Sequence, residues 1–160
     1  MKEKKKILIG LLVLLVLVGM WMKRSRTVYE IVEKEIALED EIMPAQFCMI
    51  TNLPWEEDAA MRRAEIEDKE DFGKVIAALR ETEVSLSSFR MRDIVTYKKG
   101  TDCYDLRFYL SEWYPATKEI AFLTDGKVYY GNWVYEMKGE NTERVTELLE
   151  ELLQKYENGK

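Results

Sequence analysis

Histidine is absent from this 160-residue chain, and cysteine and proline are scarce, with two Cys and three Pro. Without His, the sequence lacks the usual general base at neutral pH, the base that serves a Ser or Cys nucleophile, and the commonest metal ligand. It also lacks a Gly-rich phosphate loop, a nucleophile elbow and a zinc-type spacing of cysteines. We therefore predict a protein that is not an enzyme, with no catalytic, cofactor-binding or metal site.

The two cysteines, Cys48 and Cys103, are 55 residues apart, and both fall in segments that read as strands. In an oxidising compartment they could pair, and closing a loop of this length would stabilise the fold by roughly 3–4 kcal/mol. The alternative is two buried free thiols that behave as small apolar side chains. The sequence leaves both alternatives open.

Charge divides the chain into two parts. Residues 1–26 hold seven Lys or Arg and one acid, a net charge of +6, whereas the 17 basic and 29 acidic residues of 27–160 give −12. The basic part suits anionic lipid headgroups, and the acidic part would be repelled by nucleic acid. The acidic runs at 39–41, 56–58 and 67–71 lack the ligand spacing of an EF-hand and are interpreted as solvated turns and a helix start.

The N-terminal region contains a long apolar run, Ile7–Met22, without a charged residue. Sixteen helical residues span about 24 Å, short of a hydrocarbon core of about 30 Å, so the flanking Lys6 and Arg24 would have to snorkel. Trp21 suits the membrane interface. No small-x-small cleavage site and no Cys for lipid attachment follow the run. We predict that residues 1–26 form an uncleaved signal anchor, a single-pass transmembrane helix inserted in the lipid bilayer.

Orientation follows from the basic residues at the two ends of the run. Four Lys precede it and three basic residues follow it, which favours a cytoplasmic N-terminus and a domain outside the cell membrane. Residues 27–45 fit neither a helical nor a strand period cleanly and end near Pro44. They are interpreted as a juxtamembrane connector, either a short edge strand or a continuation of the helix. Residues 46–160 then form one acidic α+β domain.

Apolar periodicity predicts the elements of this domain. Strands are expected at Gln46–Leu53, Met61–Ile66, Ser85–Met91, Asp102–Ser111, Glu119–Leu123, Lys127–Tyr130 and Trp133–Met137, and helices at Asp68–Arg80 and from Asn141 onward. The last four strands have short connections, including an Asp125-Gly126 hairpin turn, and form an antiparallel meander. The predicted fold class is α+β: a transmembrane helix, then a β-meander packed against a C-terminal helix, with one further helix.

Aromatic residues are concentrated in and around this meander. Because strands direct alternate side chains to opposite faces, these residues cannot all be in one core. Exposed Tyr and Trp suit contacts with a protein, peptide or glycan, although aromatics are also good cross-strand neighbours inside a sheet. The candidate binding surface consists of Trp113, Tyr114, Tyr129, Trp133 and Tyr135.

The segments DKEDFGKVIAAL, YDLRFYL and KEIAFLTDGKVYYGNWVYEM, with the terminal helix, resemble small uncharacterised extracytoplasmic domains of Gram-positive bacteria that follow a membrane or lipoprotein anchor. The resemblance covers about residues 65–156 and implies a location but no functional residue; the acylated Cys of the lipoprotein versions is missing. The predicted function is a membrane-anchored interaction or sensing module. The alternatives are a carboxylate-dependent cell-wall hydrolase, with two acids about 5–9 Å apart, or a structural subunit of a membrane complex.

Overall fold

A computed structural model describes residues 2–22, 24–36, 45–55, 60–90, 99–111, 114–115 and 119–157. Within these ranges the chain has an α+β fold with four helices and nine strands, and every strand pair is antiparallel. The helices are α1 Lys2–Met22, α2 Val28–Ile36, α3 Lys69–Glu81 and α4 Asn141–Glu157. The strands are β1 Arg26–Thr27, β2 Phe47–Leu53, β3 Arg62–Ile66, β4 Glu83–Phe89, β5 Cys103–Ser111, β6 Tyr114–Pro115, β7 Ile120–Leu123, β8 Lys127–Tyr130 and β9 Trp133–Met137.

The strands form one sheet in the order β1-β4-β9-β8-β7-β5-β2-β3, with β6 paired to β5. The predicted meander of β5, β7, β8 and β9 is confirmed, and the β7–β8 turn contains Gly126 at φ 90°, a value that favours glycine. The sheet extends beyond the meander on both sides. The β2–β3 hairpin lies beyond β5, while β4 and the short β1 lie beyond β9.

The main core lies between one face of this sheet and helices α2, α3 and α4. Tyr104, Leu106 and Phe108 alternate along β5 into it, and the predicted apolar stripes of α3 and α4 supply the opposing side chains. Helix α4 packs chiefly over β3, with further contacts to β2, β7 and α3. Helix α4 therefore lies over the edge of the sheet formed by the β2–β3 hairpin. The sequence predicts a helix packed on the four-stranded meander, but the sheet extends beyond the meander on this side.

Helix α2 corrects the interpretation of residues 27–45 as a connector. Val28 and Val32 are 1% and 0% exposed, and both belong to the main core. The helix begins with a capping box, in which the Thr27 hydroxyl accepts from the Glu30 backbone N–H and the Glu30 carboxylate accepts from the Thr27 backbone N–H. An edge strand, β1, is present at Arg26–Thr27, but it shares only Thr27 with the segment for which an edge strand was one alternative. The globular domain therefore begins directly after α1, while residues 37–44 lie outside the described ranges.

The apolar run of the N-terminus forms helix α1. Its large apolar side chains, from Ile7 to Trp21, are 46–67% exposed. The Arg24 backbone N–H donates to the Trp21 carbonyl at 3.2 Å, near the end of the helix. In the described part of the chain, no helix is both long enough and apolar enough to cross a membrane.

The two cysteines are free and buried, so the disulfide alternative is wrong. In the β2–β5 register Cys48 is opposite Phe108, whereas Cys103 is opposite Leu53, five residues further along. This offset corresponds to about 17 Å along the strands, far beyond the roughly 7 Å limit for a disulfide. Cys48 faces the main core, and Cys103 belongs to a second apolar cluster with Ala121, Leu123, Tyr129 and Val134.

Candidate functional site

The five predicted surface aromatics do not form one surface. Trp113 lies outside the described residues, and Tyr114 opens strand β6 without a described side chain. Tyr129 and Tyr135 are buried, at 6% and 7% exposure, whereas Trp133 is 40% exposed. Trp133 is therefore the residue of this set that has a described and exposed side chain.

Strand alternation separates the remaining three residues. Tyr129 belongs to the second apolar cluster, where the Arg90 guanidinium lies 4.2 Å from the centre of its ring. Tyr135 belongs to the main core, and Trp133, two residues before it in β9, is directed to the same face of the sheet. The binding-surface hypothesis therefore concerns the Trp133 and Tyr135 side of the sheet.

A β-bulge enlarges the aromatic surface on that side. Leu86 pairs with Tyr135 and Phe89 pairs with Trp133, with an irregularity between Leu86 and Ser88. In a regular strand, residues 86 and 89 would face opposite sides; the extra residue of the bulge returns Phe89 to the side of Leu86. The Phe89 and Trp133 rings meet edge to face at 4.9 Å, and Phe89 is 57% exposed. Sequence alternation alone gave no signal for this pair.

Next to this pair is a groove of about 160 Å³, which we name the β4–β9 groove. It is lined by Trp21, Arg24, Arg26, Val84, Leu86, Trp133 and Tyr135. Three pieces of chain form it: the end of α1, strand β1, and the paired strands β4 and β9. The β1–β4 pairing places Arg26 opposite Val84, and Arg24 lines the groove two residues before Arg26.

The β4–β9 groove is basic and aromatic, although it belongs to an acidic domain. Its described lining includes two arginines and no acid. The Arg26 guanidinium lies 4.9 Å from the centre of the Trp21 ring, a cation–π distance. Burial raises the pKa of Tyr135, and the positive charge of Arg26 opposes part of that rise. The nearby Glu83 alternates with Val84 toward the opposite face and accepts a hydrogen bond from Ser25.

A second polar cluster joins α3 to α4 around the carboxylate of Asp71, which is 1% exposed. It accepts hydrogen bonds from Lys155, from Lys74 at 2.7 Å and from the Tyr156 hydroxyl at 2.8 Å. The hydrogen bond from Lys155, followed by those from Lys74 and Tyr156, holds the pKa of Asp71 well below its usual range. The carboxylate is fully engaged within the protein, so we assign this cluster to stability.

A third group of polar residues lies on the second face of the sheet around Asp105, which is 8% exposed. Burial, and then a hydrogen bond shared with Glu119, raise the pKa of Asp105 to about 7. The Cys103 thiol donates to Asp105 at 3.3 Å, and Glu119 accepts from Arg107 at 3.0 Å. The two carboxyl groups are in direct contact, whereas a glycosidase places its carboxyl pair about 5–9 Å apart across a cleft.

A wider and more acidic groove, about 360 Å³, lies along α4 beside Tyr104 and Thr124. Glu150 lines it, but its carboxylate accepts from Arg62 at 2.8 Å and from the Tyr104 hydroxyl at 3.1 Å. The hydrogen bond from Arg62 is the main reason why the pKa of Glu150 is lowered. A carboxylate held in this way is poorly suited to act as a general acid near neutral pH.

No cluster of three or more metal-ligating side chains occurs in the described ranges. No protein family, curated protein or solved structure matches the chain. The function is therefore argued from the chain's own residues, and the β4–β9 groove is the candidate site because it combines exposed aromatics with concentrated positive charge.

Proposed function

We propose that this chain is a membrane-anchored extracytoplasmic interaction or sensing module, with α1 in the bilayer and the α+β domain at the outer surface. The observation that carries this proposal is the exposed apolar surface of α1, whose large side chains from Ile7 to Trp21 are 46–67% exposed. Leaving apolar surface in water costs about 25 cal/mol per Å². Large contiguous apolar patches are typical of surfaces that enter a membrane or meet a partner.

The length of the apolar run is compatible with insertion if its ends adapt. Ile7–Met22 spans about 24 Å against a hydrocarbon core of about 30 Å. The exposed side chains of Lys6 and Arg24 can reach the headgroups from opposite ends, and local bilayer thinning reduces the remaining mismatch. Trp21 then lies at interfacial depth. The run contains no polar residue that would form hydrogen bonds with other transmembrane helices. We therefore favour an anchor surrounded by lipid over a structural subunit of a membrane complex.

The same geometry supports an interaction role for the domain. Helix α1 ends at Met22 and β1 begins at Arg26, so the domain follows the anchor without a long linker. The exposed Phe89–Trp133 pair and the β4–β9 groove would then lie near the membrane, open to a protein, peptide or glycan. Four Lys before the run against three basic residues after it favour a domain outside the cytoplasm. The resemblance to Gram-positive extracytoplasmic domains points in the same direction.

Membrane extraction of the full chain tests the anchor. We expect the protein to stay in the membrane pellet after alkaline carbonate washing. Leu14→Glu, which places a charge in the middle of the apolar run, should release it. The matched control, Met61→Glu, adds the same charge at a 62% exposed site just before β3, at the other edge of the sheet, and should stay in the pellet. Release of the unaltered chain by carbonate would contradict insertion.

Protease treatment of intact cells tests the orientation. A C-terminal tag on the full chain should be removed without lysis if the domain lies outside. A tag that remains until the cells are lysed would contradict the extracytoplasmic location, while leaving the anchor in place.

A further inference from the structure

The β4–β9 groove concentrates positive charge at the point where the chain leaves α1. Arg24 and Arg26 follow the helix by two and four residues, although residues 27–160 carry a net charge of −12. Within the described part of the chain, neither arginine forms an ion pair with a carboxylate. Two guanidinium groups that line one groove without an acid give it a positive potential that favours an anion.

The size and lining of the groove restrict the anion. At about 160 Å³ it is smaller than the roughly 300–1,000 Å³ of sites for drug-sized ligands, so it suits a single compact group. Guanidinium groups match the geometry of phosphate oxygens. Tyr135 lines the same groove, and its hydroxyl is a further possible donor. The indole rings of Trp21 and Trp133 are the side chains preferred at headgroup depth.

We infer that the β4–β9 groove binds the phosphate of an anionic phospholipid headgroup, with Arg24 and Arg26 as its cationic ligands and Trp21 and Trp133 beside it. The inference rests on the proposed function, since α1 must bring the groove to the membrane surface. A lipid is preferred over a free phosphate because the groove begins where the apolar helix ends. Bound lipid would hold an acidic domain against a membrane surface that otherwise repels it.

Lipid retention by the full chain tests this site. The protein is reconstituted into vesicles of equal parts phosphatidylcholine and phosphatidylglycerol, extracted in mild detergent, and its retained lipids are quantified by mass spectrometry. We expect phosphatidylglycerol to be enriched over phosphatidylcholine. Each arginine near an anionic surface contributes about a factor of five, so Arg24→Gln with Arg26→Gln should lower the enrichment roughly ten- to thirtyfold.

A matched control removes two charges elsewhere. Arg63 is exposed on β3, at the other edge of the sheet, and Arg144 forms an exposed ion pair with Glu81. Arg63→Gln with Arg144→Gln should leave the enrichment unchanged. If the groove double variant does not fold, Trp133→Leu provides a second test, with Trp55→Leu as its control because the two side chains are 40% and 39% exposed.

Four results would overturn the inference, and they are distinguishable. A chain that stays in carbonate-washed vesicles but retains the two lipids in their bilayer ratio would remove the groove site and leave the anchor. Release of the chain from the vesicles would remove the proposed function and this inference together. Displacement of phosphatidylglycerol by dissolved glycerol phosphate would reassign the groove to a soluble phosphate. If the groove variant and its control lose the same phosphatidylglycerol enrichment, the enrichment depends on the net charge of the protein and not on the groove.

Discussion

The hydroxyl of Tyr156 in α4 donates a 2.8 Å hydrogen bond to the carboxylate of Asp71 in α3, a side chain that is 1% exposed. This contact and the two lysines beside it join the helices that cover the main core. The sequence predicts Asp71 as a charge that favours the start of α3. The structure shows that this carboxylate is also buried and hydrogen-bonded to α4. The clearest stability predictions for the domain follow from this arrangement.

Replacing Asp71 by Asn should lower the free energy of unfolding by about 1–3 kcal/mol at pH 7, because the charge-assisted hydrogen bonds are lost. Urea unfolding of the full chain in detergent micelles measures the change. Glu70→Gln is the control, since Glu70 is exposed and meets Lys74 at 3.3 Å; it should cost less than about 0.5 kcal/mol. Equal losses in the two variants would contradict the assigned role of Asp71.

The lowered pKa of Asp71 also predicts acid sensitivity. A carboxylate whose pKa is lower when folded contributes stability at pH values above its unfolded pKa of about 3.9, and that contribution is lost as pH falls through the folded pKa. The difference in stability between the parent chain and Asp71→Asn should therefore be constant above about pH 5 and shrink below about pH 4. A difference that grows on acidification would contradict the assignment.

Asp105 should have the opposite pH dependence. Its folded pKa is raised to about 7, so the folded state retains a proton that the unfolded state releases near pH 3.9. The contribution of this group is present at low pH and is lost as pH rises from about 4 to 7. Asp105→Asn should raise the thermal midpoint at pH 8 and leave it almost unchanged at pH 4, whereas the exposed control Glu136→Gln should show no such trend. A lower midpoint at pH 8 would contradict the raised pKa.

Helix α2 should behave as part of the core. Val32→Ala removes two buried carbon atoms and should cost about 2 kcal/mol of unfolding free energy, because Val32 is 0% exposed. The neighbouring exposed Glu33→Ala should cost less than about 0.5 kcal/mol. Denaturant titration compares the two variants. Equal and negligible effects would restore the interpretation of this segment as a connector outside the domain.

The cysteines provide a chemical test of the strand register. Burial raises the pKa of Cys48 to about 12, and both thiols are inaccessible, so alkylation of the native protein should be slow. In denaturant and without reductant, both thiols should react fully. No labelled thiol under those conditions would indicate an oxidised pair and a register different from that of β2 and β5.

Elements with strong local patterns were predictable from the sequence. The stripe of Phe72, Val75, Ile76 and Leu79 indicated α3, and the alternation along 102–111 indicated β5. The sequence analysis considered a helix in this region as a continuation of α1, and missed that α2 is a separate short helix packed in the core. The Thr27-Val28-Tyr29-Glu30 pattern was the available signal, since a Thr followed three residues later by Glu forms a capping box.

The candidate site could not be predicted in the same way because tertiary pairing creates it. Trp21 and Arg26 meet Tyr135, more than a hundred residues later, through the β1–β4 and β4–β9 pairings. The bulge that brings Phe89 to Trp133 depends on one extra residue in β4 and has no mark in the sequence. The separation of Cys48 from Cys103 likewise depends on the register of β2 and β5, which neither strand specifies alone.

The depth of α1 in a bilayer tests the central claim most directly. A nitroxide attached to Val13→Cys, in the full chain reconstituted in vesicles, reports its surroundings through collisions with dissolved oxygen and with a water-soluble nickel complex; the native thiols are buried and label slowly. We predict high oxygen accessibility and low nickel accessibility at position 13, with the reverse for a label at the exposed Glu136→Cys position. A label at position 13 that the nickel complex reaches as readily as it reaches position 136 would contradict a membrane-anchored module.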